Sequence, residues 1–159
     1  MAYHPKLKRD LSNLEEEAKE AEKYHSNEPG TINRIPGEIV GYLYRVYDQR
    51  YSTCSFSTVG HEEYGLTDLQ LEIEAFPVKK WTPTGATLWK KITLRGEEEG
   101  KRHKHVRLGG RKEFASRTPQ RAIEQFRGRR LRQIEILKGQ IAHAKLCVEL
   151  THASELEFA

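Results

Sequence analysis

Apolar positions near the start of the chain recur at helical spacing: Leu7, Leu11, Leu14, Ala18 and Ala21 are separated by 4, 3, 4 and 3 residues. That period puts all five on one face and predicts a helix over residues 5–25. Glu15, Glu16, Glu17, Glu20 and Glu22 surround the stripe, so the outer face is acidic, and Ser26-Asn27-Glu28-Pro29-Gly30 is a breaker cluster that ends it. A stripe this narrow asks for a partner helix. From residue 38 to residue 116 the period shortens to two. Residues 39–47 are rich in aromatic and β-branched side chains, and residues 51–59 alternate more weakly. Leu69, Leu71, Ile73 and Ala75 alternate with Gln70, Glu72 and Glu74, as in a strand with one wet face. Residues 78–81 and 87–94 flank Thr82-Pro83-Thr84-Gly85, where Pro and Gly suit a hairpin turn. A charged loop over 96–101 then leads to a short strand at 103–108.

The last element opens at Thr118-Pro119, a side-chain cap followed by Pro at the first helical position. Ile123, Phe126, Ile134, Leu137, Ile141, Ala144 and Val148 hold one face of a helix predicted over 118–151. Its apolar face runs on the order of 45 Å at about 1.5 Å per residue, long for a domain of this size. Gly128 and Gly139 weaken it by about 1 kcal/mol each relative to Ala, which packing has to offset. Two arrangements follow. The C-terminal helix packs within the chain, on the sheet or against the acidic first helix, or the C-terminal helices of two copies pair as a homodimer. The expected fold is α+β: an antiparallel sheet of five or six strands flanked by an N-terminal helix and a long C-terminal amphipathic helix, in a single domain over 1–159.

Composition sharpens this picture. The apolar fraction is 36% and the charged fraction 31%, which fits a modest core with long exposed helices. Cys54 and Cys147 are too few for a disulfide scaffold or a zinc site, so a reduced, cytoplasmic setting is expected. No stretch reaches the length of a spanning helix, and the first ten residues lack the apolar run of a signal peptide, so no membrane partner is expected. Charge is distributed unevenly. Residues 101–138 carry 13 Lys or Arg against three Glu, while the whole chain nets +4. Such one-sided charge attracts phosphate or acidic partners at long range.

Within that segment, Arg121, Arg129 and Arg132 fall within about 80° of one another at 100° per residue, opposite the apolar stripe. With Arg102, Lys104, Arg107, Arg111 and Lys112 they are the candidate contacts to a partner or to phosphate, since the Arg fork binds carboxylate and phosphate bidentately. Arg130 lies on the apolar stripe between Phe126 and Ile134, and with Arg127 it either reads a partner or holds the helix to the fold through an ion pair with the first helix. Leu108-Gly109-Gly110-Arg111-Lys112 is read as a tight turn, with a weaker reading as an anion cradle. His103 and His105 have the spacing of metal ligands but lack a third, so neither metal nor cofactor is expected. No serine sits in a nucleophile elbow, and no carboxylate pair or reactive thiol stands out, so the chain is read as a non-enzyme. Tyr42, Tyr44, Tyr47, Tyr51, Trp81 and Trp89 are read as core or cross-strand pairs, with base stacking as the alternative.

Residues 81–89 (Trp-Thr-Pro-Thr-Gly-Ala-Thr-Leu-Trp), 111–115 (Arg-Lys-Glu-Phe-Ala), 118–122 (Thr-Pro-Gln-Arg-Ala) and 133–137 (Gln-Ile-Glu-Ile-Leu) together resemble small accessory proteins of tailed phages and prophages, over about residues 66–150. In that group an acidic residue is usual where Arg121 stands. The resemblance implies an accessory role in the cytoplasm of an infected bacterial host. Combined with the basic helix, it gives the expected function: a non-catalytic protein that binds an acidic host protein or complex and modulates or inhibits it, as a counter-defence or transcription modulator would. Direct nucleic-acid binding through phosphates is the alternative, and a sponge for a small anionic nucleotide is a further one.

Overall fold

In the computed structural model, residues 7–28, 31, 35–56, 62–89 and 104–157 are described, the backbone alone at 7–8, 50–56, 62–68 and 153–157. Arg102 and His103 lie outside the described residues, as does the side chain of Cys54. The elements are β1 (Leu7–Arg9), α1 (Leu14–Lys23), β2 (Gly41–Phe56), β3 (Glu62–Thr82), β4 (Gly85–Leu88), β5 (His105–Arg107) and α2 (Pro119–Glu157). The fold is α+β. The chain divides into two compact units, Met1–Gln125 and Phe126–Ala159.

In the first unit, β2 to β5 form an antiparallel sheet, and the short β1 adds to it in parallel. Among the described residues this is four antiparallel strands, fewer than the expected five or six, because neighbouring predicted strands merge. The strands predicted over 39–47 and 51–59 join in one strand, β2 (Gly41–Phe56), which continues past an irregularity between Arg50 and Ser52; residues 57–59 lie outside the described residues. Residues 69–75 and 78–81 become β3, which runs straight through Pro77. Proline breaks a ladder only where its missing N–H is needed. The Pro77 carbonyl accepts from the Trp89 N–H at 2.9 Å, so its N–H side faces β4 at the end of that pairing, and the β2–β3 ladder is untouched.

The predicted first helix is also shorter, starting at Leu14 rather than near Pro5. Leu7 belongs to β1, where it pairs with Leu69 along the edge of β3 that β4 leaves open. Glu15, Glu16 and Glu17 fill the first turn of α1, where the helix dipole favours negative charge. The partner of its apolar stripe is the sheet. Ala18 and Ala21 are buried, as are Val46, Ile73 and Ala75, and register places Val46 opposite Ile73 and Tyr44 opposite Ala75 on one sheet face. Two tyrosines of that face tie α1 down: Tyr44 donates to the Glu22 carboxylate, and Tyr42 donates to the His25 carbonyl at 3.0 Å. Burial first, and the Glu22 carboxylate second, push the Tyr44 phenol far above its ordinary pKa.

On the other sheet face lies the main core of Leu43, Val78, Ala86, Leu88, Val106 and Ala115, with Phe76, Leu108 and Phe114 packed against it. A crossing segment closes it. The chain leaves β5 at one sheet edge and returns to the other, where Ser116 and Tyr44 exchange two backbone hydrogen bonds of 2.8 Å. Residues 108–116 therefore span the sheet and bring Phe114 edge-on to Phe76, with ring centroids 5.2 Å apart.

Both tryptophans anchor the segment before β2. Trp81 Nε1 donates to the Val40 carbonyl at 3.4 Å, and Trp89 Nε1 donates to the Glu38 carbonyl at 2.9 Å. Trp89→Phe keeps the ring and deletes the donor, and it is expected to cost about 1 kcal/mol, read as a lower urea midpoint with an unchanged slope.

The second unit is the greater part of α2. Thr118 Oγ1 accepts from the Arg121 N–H at 3.3 Å, so the predicted cap forms, and the helix runs on to Glu157, beyond the predicted end at 151. From Leu131 to His152 every residue is exposed. The apolar stripe expected to pack within the chain is thus open in the single chain: Ile134 is 46% exposed and Ile141 56%.

Candidate functional site

Several described cations of residues 104–138 are already engaged within the chain. β5 alternates, with Val106 buried and His105 and Arg107 exposed. Lys104, two residues before Val106, lies on the same side of the strand while remaining exposed. Its Nζ lies 3.1 Å from the centroid of the Phe114 ring, and the Arg45 guanidinium sits 4.5 Å from the same centroid. Desolvation, then the charge of Arg45, lowers the Lys104 pKa from its ordinary value. Arg45 is a cation the sequence reading passed over, since it lies in a strand dominated by aromatics.

Arg121 departs most from expectation. The helical wheel places it outward with Arg129 and Arg132, but its guanidinium grips Glu113 through two hydrogen bonds of 3.0 Å. The Glu113 side chain is 2% exposed and also accepts from Ser116 Oγ at 3.0 Å and from the Gly109 N–H at 2.6 Å. Gly109 has φ +80, a conformation that suits glycine and aims its N–H into the turn. The glycine turn thus spends its Gly109 N–H on the chain's own carboxylate. Burial alone would raise the pKa of Glu113. Hydrogen bonds from Arg121, Gly109 and Ser116 outweigh that and hold it below its ordinary value. The correction is one of role: Arg121 locks the crossing segment to the start of α2.

Arg130 shows the converse. It donates to Gln133 Oε1 at 2.6 Å and lies 5.2 Å from the Phe126 ring centroid, both contacts within its own helix. Arg117 and Lys79 lie over the Trp81 and Trp89 rings at 4.9 and 4.7 Å, which uses those faces for cation–π contact. Tyr47 donates to Glu72 at 2.8 Å.

Among the described candidate residues, Lys104, Arg107, Arg111, Lys112 and Arg121 are exposed in the first unit, Lys104 and Arg121 with the contacts above, and Arg127, Arg129 and Arg132 are exposed in the second. On α2, at 100° per residue, Arg129, Arg132, Ile136, Leu146 and Leu150 lie within an arc of about 100°. Ile136 is 56% exposed and Leu150 70%. A second arc on the opposite side holds Ile134, Leu137, Ile141 and Val148. The sequence reading found this second arc and missed the apolar members of the first, because they interrupt the period it was following.

No group of three metal-binding side chains occurs among the described residues, and no described helix is long and apolar enough to cross a membrane. Comparison with known family models, curated proteins and solved structures gives no match to this chain.

Proposed function

We propose that this is a non-catalytic, phage-type accessory protein that binds a host protein in the bacterial cytoplasm through the Arg129–Arg132 face of α2. The observation that carries this reading is the mixture on that face, two exposed arginines sharing one arc with Ile136, Leu146 and Leu150. Protein interfaces combine Arg with apolar anchors in this way. Nucleic-acid interfaces are far more uniformly basic. The two tryptophans, already stacked against Arg117 and Lys79, also favour a protein partner over bases. The partner surface is acidic with an apolar centre, and its carboxylates would be held by the arginine forks.

Capture from bacterial lysate compares wild type with an Arg129→Glu/Arg132→Glu double variant and with Ile136→Asp. A partner bound by wild type should survive nuclease treatment and be lost with both variants. Two central arginines at about 2 kcal/mol each correspond to an affinity loss of about a thousandfold. Retention of the same partners by all three proteins would remove this face as the interface. Loss on nuclease treatment, with a steep log-linear dependence on salt, would establish the phosphate-binding alternative.

A further inference from the structure

The arc opposite the arginine face has a separate use. Ile134, Leu137, Ile141, Ala144, Val148 and Thr151 follow spacings of 3, 4, 3, 4 and 3, two and a half heptads with Ile134 at an a position. All three a residues are β-branched, and Leu occupies the first d position, the combination that favours two parallel strands. Arg130 falls at the preceding d position and closes the seam at that end. We infer that this seam pairs with the same seam of a second copy, forming a parallel, in-register coiled-coil homodimer through residues 134–151.

Charge selects both the occupant and its direction. The flanking e positions are Lys138, Lys145 and His152, and the g positions are Gln133, Gln140 and Cys147. In a parallel pair each e residue meets a g residue of the other chain, so every cation faces an uncharged neighbour. An antiparallel pair would set e against e, cation against cation. Lys138 already bonds Glu135 at 3.0 Å within its own helix, which leaves the seam clear of acids.

Helix stability argues for the same partner. Most helical stability in proteins comes from packing of an apolar face. Here residues 131–152 are all exposed in the single chain, and Gly128 and Gly139 have open space around them. A second copy supplies the missing packing along about 26 Å of seam. It leaves Arg129 and Arg132 outward, so the dimer presents the partner-binding face twice.

Sedimentation equilibrium tests the pairing. Wild type should reach twice the 18.4 kDa chain mass, with helicity rising with concentration. Ile141→Asp in the seam should be monomeric. Ile141→Asn, a polar residue that parallel dimers accept at one a position, should dimerise more weakly. Leu146→Asp, on the arginine face, should dimerise like wild type. A monomeric wild type, or a dimer indifferent to Ile141→Asp, overturns the proposal. For direction, Leu137→Cys and Thr151→Cys are each placed in a Cys54→Ser/Cys147→Ser background and oxidised. Both should form disulfide-linked dimers, because a parallel register sets every d residue beside its own copy. Cross-linking at only one position, or at neither, overturns the parallel register.

Discussion

Gly85→Ala is expected to dismantle the end of the sheet. A β-carbon on residue 85 would fall on the Val106 carbonyl oxygen, 2.9 Å from its carbonyl carbon and 3.1 Å from the Arg107 Cα. All of these are backbone atoms, so no rotamer change relieves the overlap. Gly85 also pairs with Arg107 in the β4–β5 ladder, and the Leu108 N–H donates to the Thr84 carbonyl at 3.0 Å just beyond it. Making room means parting these strands and exposing Ala86, Leu88 and Val106, which are buried. The cost is about 3 kcal/mol or more, a fall in Tm on the order of 10 °C or greater for a unit of this size. Thermal denaturation measures it. A loss below about 1 kcal/mol would mean that β4 and β5 do not pair in this register.

Glu113→Gln is expected to release the crossing segment. The carboxylate accepts from Gly109, Ser116 and Arg121 together, and an amide in its place presents N–H groups toward some of those donors. The expected loss is about 2–3 kcal/mol near neutral pH. Its pH dependence identifies the cause. The folded state holds Glu113 below its ordinary value near 4.5, so the carboxylate stabilises the fold above that value. That contribution fades as pH falls through the folded-state pKa. The stability gap between wild type and Glu113→Gln should therefore be constant in neutral solution and narrow only on the acid side of 4.5. Urea denaturation of both proteins across that range decides the matter. A gap independent of pH would assign the loss to packing alone.

The sequence was most legible where one local rule had no competitor. Thr118-Pro119 starts α2, and the turn between Thr82 and Gly85 joins β3 to β4. Alternation over residues 69–75 reports a strand whose Ile73 and Ala75 are buried, although its polar side is half-buried rather than wet. Where two rules competed, reading failed. Leu7 fits the helical period of Leu11 and Leu14, yet the open edge of β3 takes its backbone instead. Pro77 suggests a break, but its missing donor falls where none is needed. The engagement of Arg121 was invisible for a different reason. A helical wheel reports direction from the axis, whereas Glu113 reaches Arg121 from a turn before the helix begins, a placement fixed only when the crossing segment closes over the core. The arginine face was half legible: its charges were apparent, and its apolar members emerged only when exposure separated two arcs of one helix.

The anchoring of Trp81 and Trp89 on residues 38–40 also makes the two units optically distinct. Every Trp and Tyr of the chain lies at or before residue 89, and residues 126–159 contain none. Indole fluorescence therefore reports on the first unit alone, and residues 126–159 add no Trp or Tyr signal. A titration that changes far-ultraviolet ellipticity but not indole emission registers an event on the helix.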